Sequence, residues 1–168
     1  MKTRIFTTTI CLLILCIGHA QSMFGHINSQ EIISAMPEAA TAQLELQTEM
    51  QKLQTNIQDL TTEYESIVND FQVNQANMSD IIRETKIKEI QDYEQRIAVF
   101  QQTAQQELTL KEAELFEPIL NKIQAAIDKV AEKNGYLYVF DVGGNAGNIV
   151  YKNDSFDITN KIKAELNL

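Results

Sequence analysis

The sequence has 168 residues, with 14 Lys and Arg against 23 Asp and Glu, a formal charge of −9. That balance argues against nucleic-acid binding, which needs a positive surface to meet phosphate. The sequence has two cysteines, two histidines and no tryptophan, so it is poor in the usual nucleophiles and metal ligands.

The first twenty residues read as an export signal. Lys2 and Arg4 precede an apolar run, Ile10 to Ile17, that is too short to span a bilayer, and Gly18-His19-Ala20 supplies small residues for cleavage. Cleavage after Ala20 leaves a mature chain from Gln21, of 148 residues. That chain has 12 basic and 23 acidic residues, a charge of −11, and it makes no stable membrane insertion. A lipoprotein signal at Cys16 is the rival, but Leu15 stands where a small residue is needed. Both cysteines, Cys11 and Cys16, leave with the signal, so the mature chain has no disulfide and no thiolate site. An exported chain without cysteine suggests a bacterial periplasm or surface.

Residues 23–27, "MFGHI", read as a short strand. Asn28, with Glu31 three residues later, has the pattern of a capping box ahead of a short helix through "IISAM". Pro37 suits the first turn of the next helix, where a missing N–H does no harm.

From Leu46 the apolar residues fall into heptads. Leu46, Met50, Leu53, Ile57, Leu60, Tyr64, Ile67 and Phe71 alternate steps of four and three, which is a coiled-coil seam. The seam weakens in "NQANMSD", 74–80, where Ser79 can cap a second helix. A second run follows through Ile90, Tyr93, Ile97, Phe100, Ala104 and Leu108. It drifts to steps of four before Phe116, which loosens the supercoil, and continues through Phe116, Leu120, Ile123, Ile127 and Val130 to a stop at Asn134-Gly135.

Pro118 interrupts that second run. It lacks the N–H that would bond the carbonyl of Glu114, and its ring crowds that carbonyl, at a cost of about 3 kcal/mol or more. In an antiparallel hairpin centred at 77.5, residue 118 lies opposite residue 37, and these are the only two prolines. Both are expected where the arm leaves its base, as the hinge, with Leu120 to Val130 packed into the base. With its turn near residue 78, the arm is about 60 Å long at 1.5 Å per residue.

The tail differs. "YLYVF", 136–140, reads as a buried strand, "DVGGNAGN" as a turn, and "IVY", 149–151, as a second strand closing a hairpin. "FDITNKIKAEL" reads as a short final helix capped by Asp157. The expected class is therefore α+β and mostly helical. A helical hairpin arm, 38–117, joins a small α/β base made of 21–37 and 118–168.

The order of these elements, with "GHINSQEIISAMPEA", "LFEPILNKIQAAIDKVAEKNGYLYVFD" and "DITNKIKAEL", resembles the Skp/OmpH family of periplasmic chaperones over essentially the whole mature chain. The resemblance implies a homotrimer whose strands build a central body. Phe24, Ile27, Leu137, Tyr138, Val139, Phe140, Ile149 and Tyr151 are the expected oligomerisation residues. It also implies an ATP-independent holdase that keeps unfolded outer-membrane β-barrel proteins from aggregating between its arms. One departure stands out: the best-known members are basic, whereas this arm has 6 basic and 16 acidic residues. Candidate client contacts are instead the apolar residues off the seam: Leu44, Val68, Val73, Ile82, Ile87, Val99 and Leu110. Widening of the packed helix faces is the alternative reading of the same residues.

No enzyme, cofactor or metal site is expected. His26 is the only histidine of the mature chain, and "GGNAG" lacks the ending of a phosphate loop. Asp154 and Asp157 near Asn153 suit a capped turn better than a calcium site. The alternative function is a coiled-coil scaffold of the cell envelope.

Overall fold

The computed structural model describes residues 24–144 and 149–168. The expected signal peptide and most of the "GGNAGN" turn lie outside these residues. Described elements run in the order β1 (Phe24–Ile27), α1 (Ser29–Ala35), α2 (Pro37–Asn74), α3 (Asp80–Asn134), β2 (Tyr138–Asp141) and α4 (Thr159–Glu165). The chain divides into two compact units. One is Pro37–Ile119; the other joins the residues up to Met36 with Leu120–Leu168.

The first unit is a helical hairpin. Met36 is extended, as a residue before proline must be, and α2 starts on Pro37. A 3₁₀ turn, Gln75–Asn77, ends the outgoing helix. Ser79 then caps α3: its Oγ accepts from the Ile82 amide at 3.4 Å. The expected seam is buried or half-buried at Leu46, Leu53, Ile57, Leu60, Tyr64, Ile67 and Phe71, facing Ile90, Tyr93, Ile97, Phe100, Ala104 and Leu108. Met50 departs from it and is half exposed.

Two reciprocal bonds pin the hairpin register. Tyr64 donates to Glu94 at 2.8 Å and Tyr93 donates to Glu63 at 3.0 Å. They centre the hairpin at 78–79 rather than 77.5, so Pro118 stands opposite residues 38–40, within one turn of Pro37. The bond to Glu94 raises the Tyr64 phenol above its ordinary range.

Helix α3 runs unbroken through Pro118 and ends as expected. Gly135 takes φ 72°, its N–H bonds Glu132 O at 3.3 Å, and the Tyr136 N–H bonds Ala131 O at 3.0 Å. This pair of bonds is a Schellman stop.

The second unit is small and mixed. Ile32, Met36, Ile158 and Ile162 are its most deeply buried side chains, and α1 packs on α4. The buried stripe on α3 is Ile123, Ala126 and Val130. Leu120 was expected in this stripe but is half exposed; at the preceding position it is Ile119, in the hairpin unit, that is buried. The step of four from 119 to 123 continues the heptad, which explains the shift.

The strands pair differently from expectation. β1 and β2 form a parallel two-stranded sheet with Phe24 opposite Tyr138 and His26 opposite Phe140. Residues 149–151 form no strand within the chain, so the expected hairpin of 136–140 with 149–151 is corrected. The linker from 142 to 148 exceeds the two to five residues of ordinary hairpin loops. Its start is also drawn onto α1. Asp141 Oδ1 accepts from the Ser29 amide at 3.1 Å and from the Gly143 amide at 2.8 Å. Gly143 sits so close to the start of α1 that an added Cβ would meet Asn28 Oδ1 at 2.3 Å and the Ser29 nitrogen at 2.6 Å.

Half of the expected capping box forms. Asn28 Oδ1 accepts from the Glu31 amide at 3.1 Å. The Asn28 amide, however, goes to Thr159 Oγ1 at 3.0 Å, and the Glu31 carboxylate goes to Lys163 at 2.6 Å. Thus α4 takes over the half of the cap that Glu31 would have closed locally.

Asp157 acts just ahead of α4, with its Oδ1 accepting from the Thr159 amide at 2.8 Å. Burial pushes this carboxyl up, but the Thr159 bonds, His26 and Lys152 outweigh it and hold it below the ordinary carboxylate range. A carboxyl lowered on folding contributes stability above its unfolded pKa and loses it as pH falls through the folded value. Asp157→Ala is therefore expected to lower stability by about 1 kcal/mol at pH 7. The gap from wild type should begin to narrow in thermal melts as pH falls below about 4 and go on narrowing at lower pH. An equal gap at pH 7 and pH 3 would contradict this.

Candidate functional site

Two surfaces stand out, one on each unit. On the hairpin unit, apolar side chains lie off the seam. Leu44, Val73, Ile82, Ile87, Val99 and Leu110 are all exposed, from 42% for Ile87 to 71% for Leu110, while Val68 is half-buried. Ile81, which the sequence reading did not single out, is 78% exposed beside Ile82. At these exposures the six are only partly covered by the packed helix faces.

Shallow surface grooves take in three of these side chains, Leu44, Val99 and Leu110. One, of about 580 Å³, is lined by Leu60, Val99 and Phe100 with Asp92 and Arg96. A second holds Leu110 between Glu107 and Glu114, and a third holds Leu44 beside Glu45 and Glu49. Each pairs apolar surface with carboxylates and one cation on an open face: Arg96 in the first, Lys111 in the other two. No helix among the described residues is long and apolar enough to cross a membrane.

On the other unit, the sheet carries aromatic side chains on one face. Phe24, Tyr138 and Phe140 stack with ring centroids 5.8 to 6.4 Å apart. The parallel register puts them on one side because residues opposite each other share a face. All three are exposed, with Tyr138 at 61%. A contiguous exposed patch of large apolar groups marks an interaction surface.

The outer edge of β2 adds to this patch. β1 is flanked by β2 on one side and by a bridge from His26 to Asp157 on the other. Among the described residues β2 has a partner on one side only, and an open edge invites another strand. Leu137, Val150 and Tyr151 are exposed nearby in sequence, and Ile149 is half-buried.

Two residues expected at an oligomer surface face inward. Ile27 is 3% exposed and belongs to the core, and Val139 is half-buried. Ile27 and Val139 share a groove with Ile33, Leu120, Ile123 and Ile127 on the sheet's other face.

His26 is buried on the aromatic side of β1. Its Nε2 has no hydrogen-bond partner among the described residues and lies 3.8 Å from Asp157 Oδ2, too far for a hydrogen bond. The polar groups at 153–157 bond locally, as in a capped turn. Asn153 Oδ1 accepts from the Ser155 amide and hydroxyl, at 3.0 and 2.8 Å, and Asp157 accepts from Thr159.

Sequence reasoning missed the tyrosine–glutamate pairs of the hairpin. The signal was present as a mirrored pair, Glu63-Tyr64 and Tyr93-Glu94, spaced equally about the turn.

No curated protein sequence matches this chain. The crystal structure of an outer membrane chaperone (OmpH-like) from Caulobacter crescentus shares its fold, with a TM-score of 0.72, 15% identity, and 89% of this chain and 86% of that chain covered. The profile of the outer membrane protein (OmpH-like) family matches residues 23–166, nearly all of the described chain. With a helical hairpin, a small strand-bearing unit and a family match of that extent, the chain belongs to the OmpH-like outer membrane protein family.

Proposed function

We propose that this protein is an ATP-independent periplasmic holdase that binds unfolded outer-membrane β-barrel proteins, working as a homotrimer. The observation that carries the reading is the spread of exposed aliphatic side chains along a long hairpin, instead of in one pocket. A client without fixed structure has no shape to match, so many weak contacts suit it better than one strong site. Fully burying one Leu or Val contributes about 1.5–3 kcal/mol, and partial burial contributes less. Several linked contacts together hold what none holds alone. No energy source is needed: binding lowers the free concentration of aggregating chain by mass action.

Three hairpins around one body would supply such contacts from several sides. The stacked aromatics and open β2 edge support self-association of the strand-bearing unit, with residues 149–151 as further strand-forming material. The Caulobacter protein of the same fold, an OmpH-like outer membrane chaperone, agrees with this reading.

Light scattering of several unrelated denatured barrel proteins, diluted from denaturant, tests the function. Suppression near one oligomer per client is expected. Failure with every barrel client, together with capture of a single folded partner, would favour the envelope scaffold.

Clients of different sizes require the arms to spread. Pro118 and Pro37 are the proposed hinge because the unit boundaries fall at Met36–Pro37 and Ile119–Leu120, and Glu114 O has lost its helical donor. Pro118→Ala restores that donor. Small-angle scattering of the variant is expected to give a narrower spread of arm angles. An unchanged distribution would refute the hinge.

A further inference from the structure

We infer that the arm selects its occupants by charge and takes extended polypeptide segments that carry lysine and arginine beside aliphatic or aromatic residues. The inference rests on the holdase reading and names the client class for the same surface.

The negative charge of the arm is unevenly placed. Around the turn, residues 70–89 contain four acidic and three basic residues, which nearly balance. The remaining shaft, 37–69 and 90–119, contains 12 acidic and three basic residues, a charge of −9. The three shaft cations are already engaged. Lys52 pairs with Glu49 at 2.9 Å, Lys111 pairs with Glu114 at 3.2 Å, and Arg96 lies 4.7 Å over the Tyr93 ring.

Apolar contact points on the shaft are therefore bordered by carboxylates. Leu110 sits between Glu107 and Glu114, Leu44 sits beside Glu45 and Glu49, and Val99 shares its groove with Asp92; Lys111 lines the first two grooves and Arg96 the third, so carboxylates outnumber cations at Leu110 and Leu44. A segment that lays an aliphatic side chain on Leu44 or Leu110 brings its neighbouring residues within a few ångströms of these carboxylates. If those neighbours are anionic, they are repelled at a distance well inside the Debye length, about 30 Å at 0.01 M salt. If they are cationic, they are attracted, since the Leu44 and Leu110 grooves each set two carboxylates against one lining cation, Lys111. Amide and hydroxyl groups such as Gln106 and Thr48 can serve either kind of segment, so the discrimination is electrostatic.

Exposed ion pairs are individually weak, so the preference comes from several acting together. A difference of about tenfold in affinity, about 1.4 kcal/mol, is the expected scale. It should fall as salt rises, whereas the apolar part of binding should not.

The test uses one denatured outer-membrane barrel polypeptide in two forms, native and with its lysines succinylated. Length and apolar content stay fixed while charge reverses at each lysine. Fluorescence anisotropy measures the binding of each form to the full-length protein. At about 0.02 M salt the unmodified form is expected to bind about tenfold tighter, and at about 0.5 M the gap should shrink to within about threefold. Glu45→Lys, Glu107→Lys and Glu114→Lys together should narrow or reverse the preference. The matching Glu→Gln triple variant, which adds no new repulsion against Lys111, should narrow it with the helix content intact by circular dichroism. Equal or tighter binding of the succinylated form overturns the inference, as does a ratio that neither salt nor the glutamine variant changes. Both results leave the holdase reading standing. Failure to bind either form overturns the holdase reading, and the inference with it.

Discussion

On the proposed homotrimeric holdase, a Tyr138→Glu, Phe140→Glu double variant is expected to sediment as a monomer at concentrations where the wild type sediments as an oligomer, and to lose suppression of client aggregation. Both side chains are exposed within the chain, at 61% and 45%, and stack on each other and on Phe24. Replacing them should therefore leave the fold of the single chain intact, with circular dichroism unchanged. Burying such an aromatic contributes about 1.5–3 kcal/mol, so losing two per protomer weakens association at least about a hundredfold. Glutamate adds charge that must be desolvated at the interface. A double variant with the wild-type sedimentation coefficient would show that this face is not the contact surface. A monomer that still suppresses aggregation would separate oligomer formation from client holding.

Ile162→Ala is expected to destabilise the strand-bearing unit by about 2–5 kcal/mol, the usual cost of emptying a fully buried aliphatic site. Ile162 is 0% exposed on α4, and Ile32, also 0% exposed, is buried on α1, which packs against it. With Ile32, Met36 and Ile158, Ile162 is among the most deeply buried side chains of the described residues, so the cavity opens at the centre of this core. Urea titration followed by tyrosine fluorescence should show a first transition at lower denaturant. A shift below about 1 kcal/mol would mean that this core is not limiting. The helical signal from the hairpin should persist after that first transition, because its seam buries a separate set of residues.

The helices were the clearest part of the sequence, because each depends on neighbours three or four residues away. The seam from Leu46 to Phe71, the Ser79 cap and the glycine stop at Gly135 all stand close to where spacing put them. Met50 and Leu120 were misplaced by a fraction of a turn, since heptad patterns leave the exact facing residue to the partner helix.

The candidate surfaces were only half readable. Exposure of Leu44 and Leu110 follows from their absence from the seam, and it could be read from spacing. That Phe24, Tyr138 and Phe140 form one stacked patch could not, because Phe24 and Tyr138 are 114 residues apart and their facing is a matter of register. Likewise, Ile27 and Phe24 look alike in the sequence, yet only Phe24 is exposed.

What the sequence by itself determined is the hairpin: its heptads, caps, turn and charge follow from local geometry and composition. What only the tertiary structure decided is the small unit. Strands of four residues carry too little pattern to choose a partner or a direction. There, β2 lies parallel to β1 rather than antiparallel to residues 149–151, α4 completes the cap on α1 through Thr159, and Gly143 and Asp141 bind the start of α1. The physical reason is that these contacts join segments more than a hundred residues apart, and burial of Ile32, Ile158 and Ile162 selects them together.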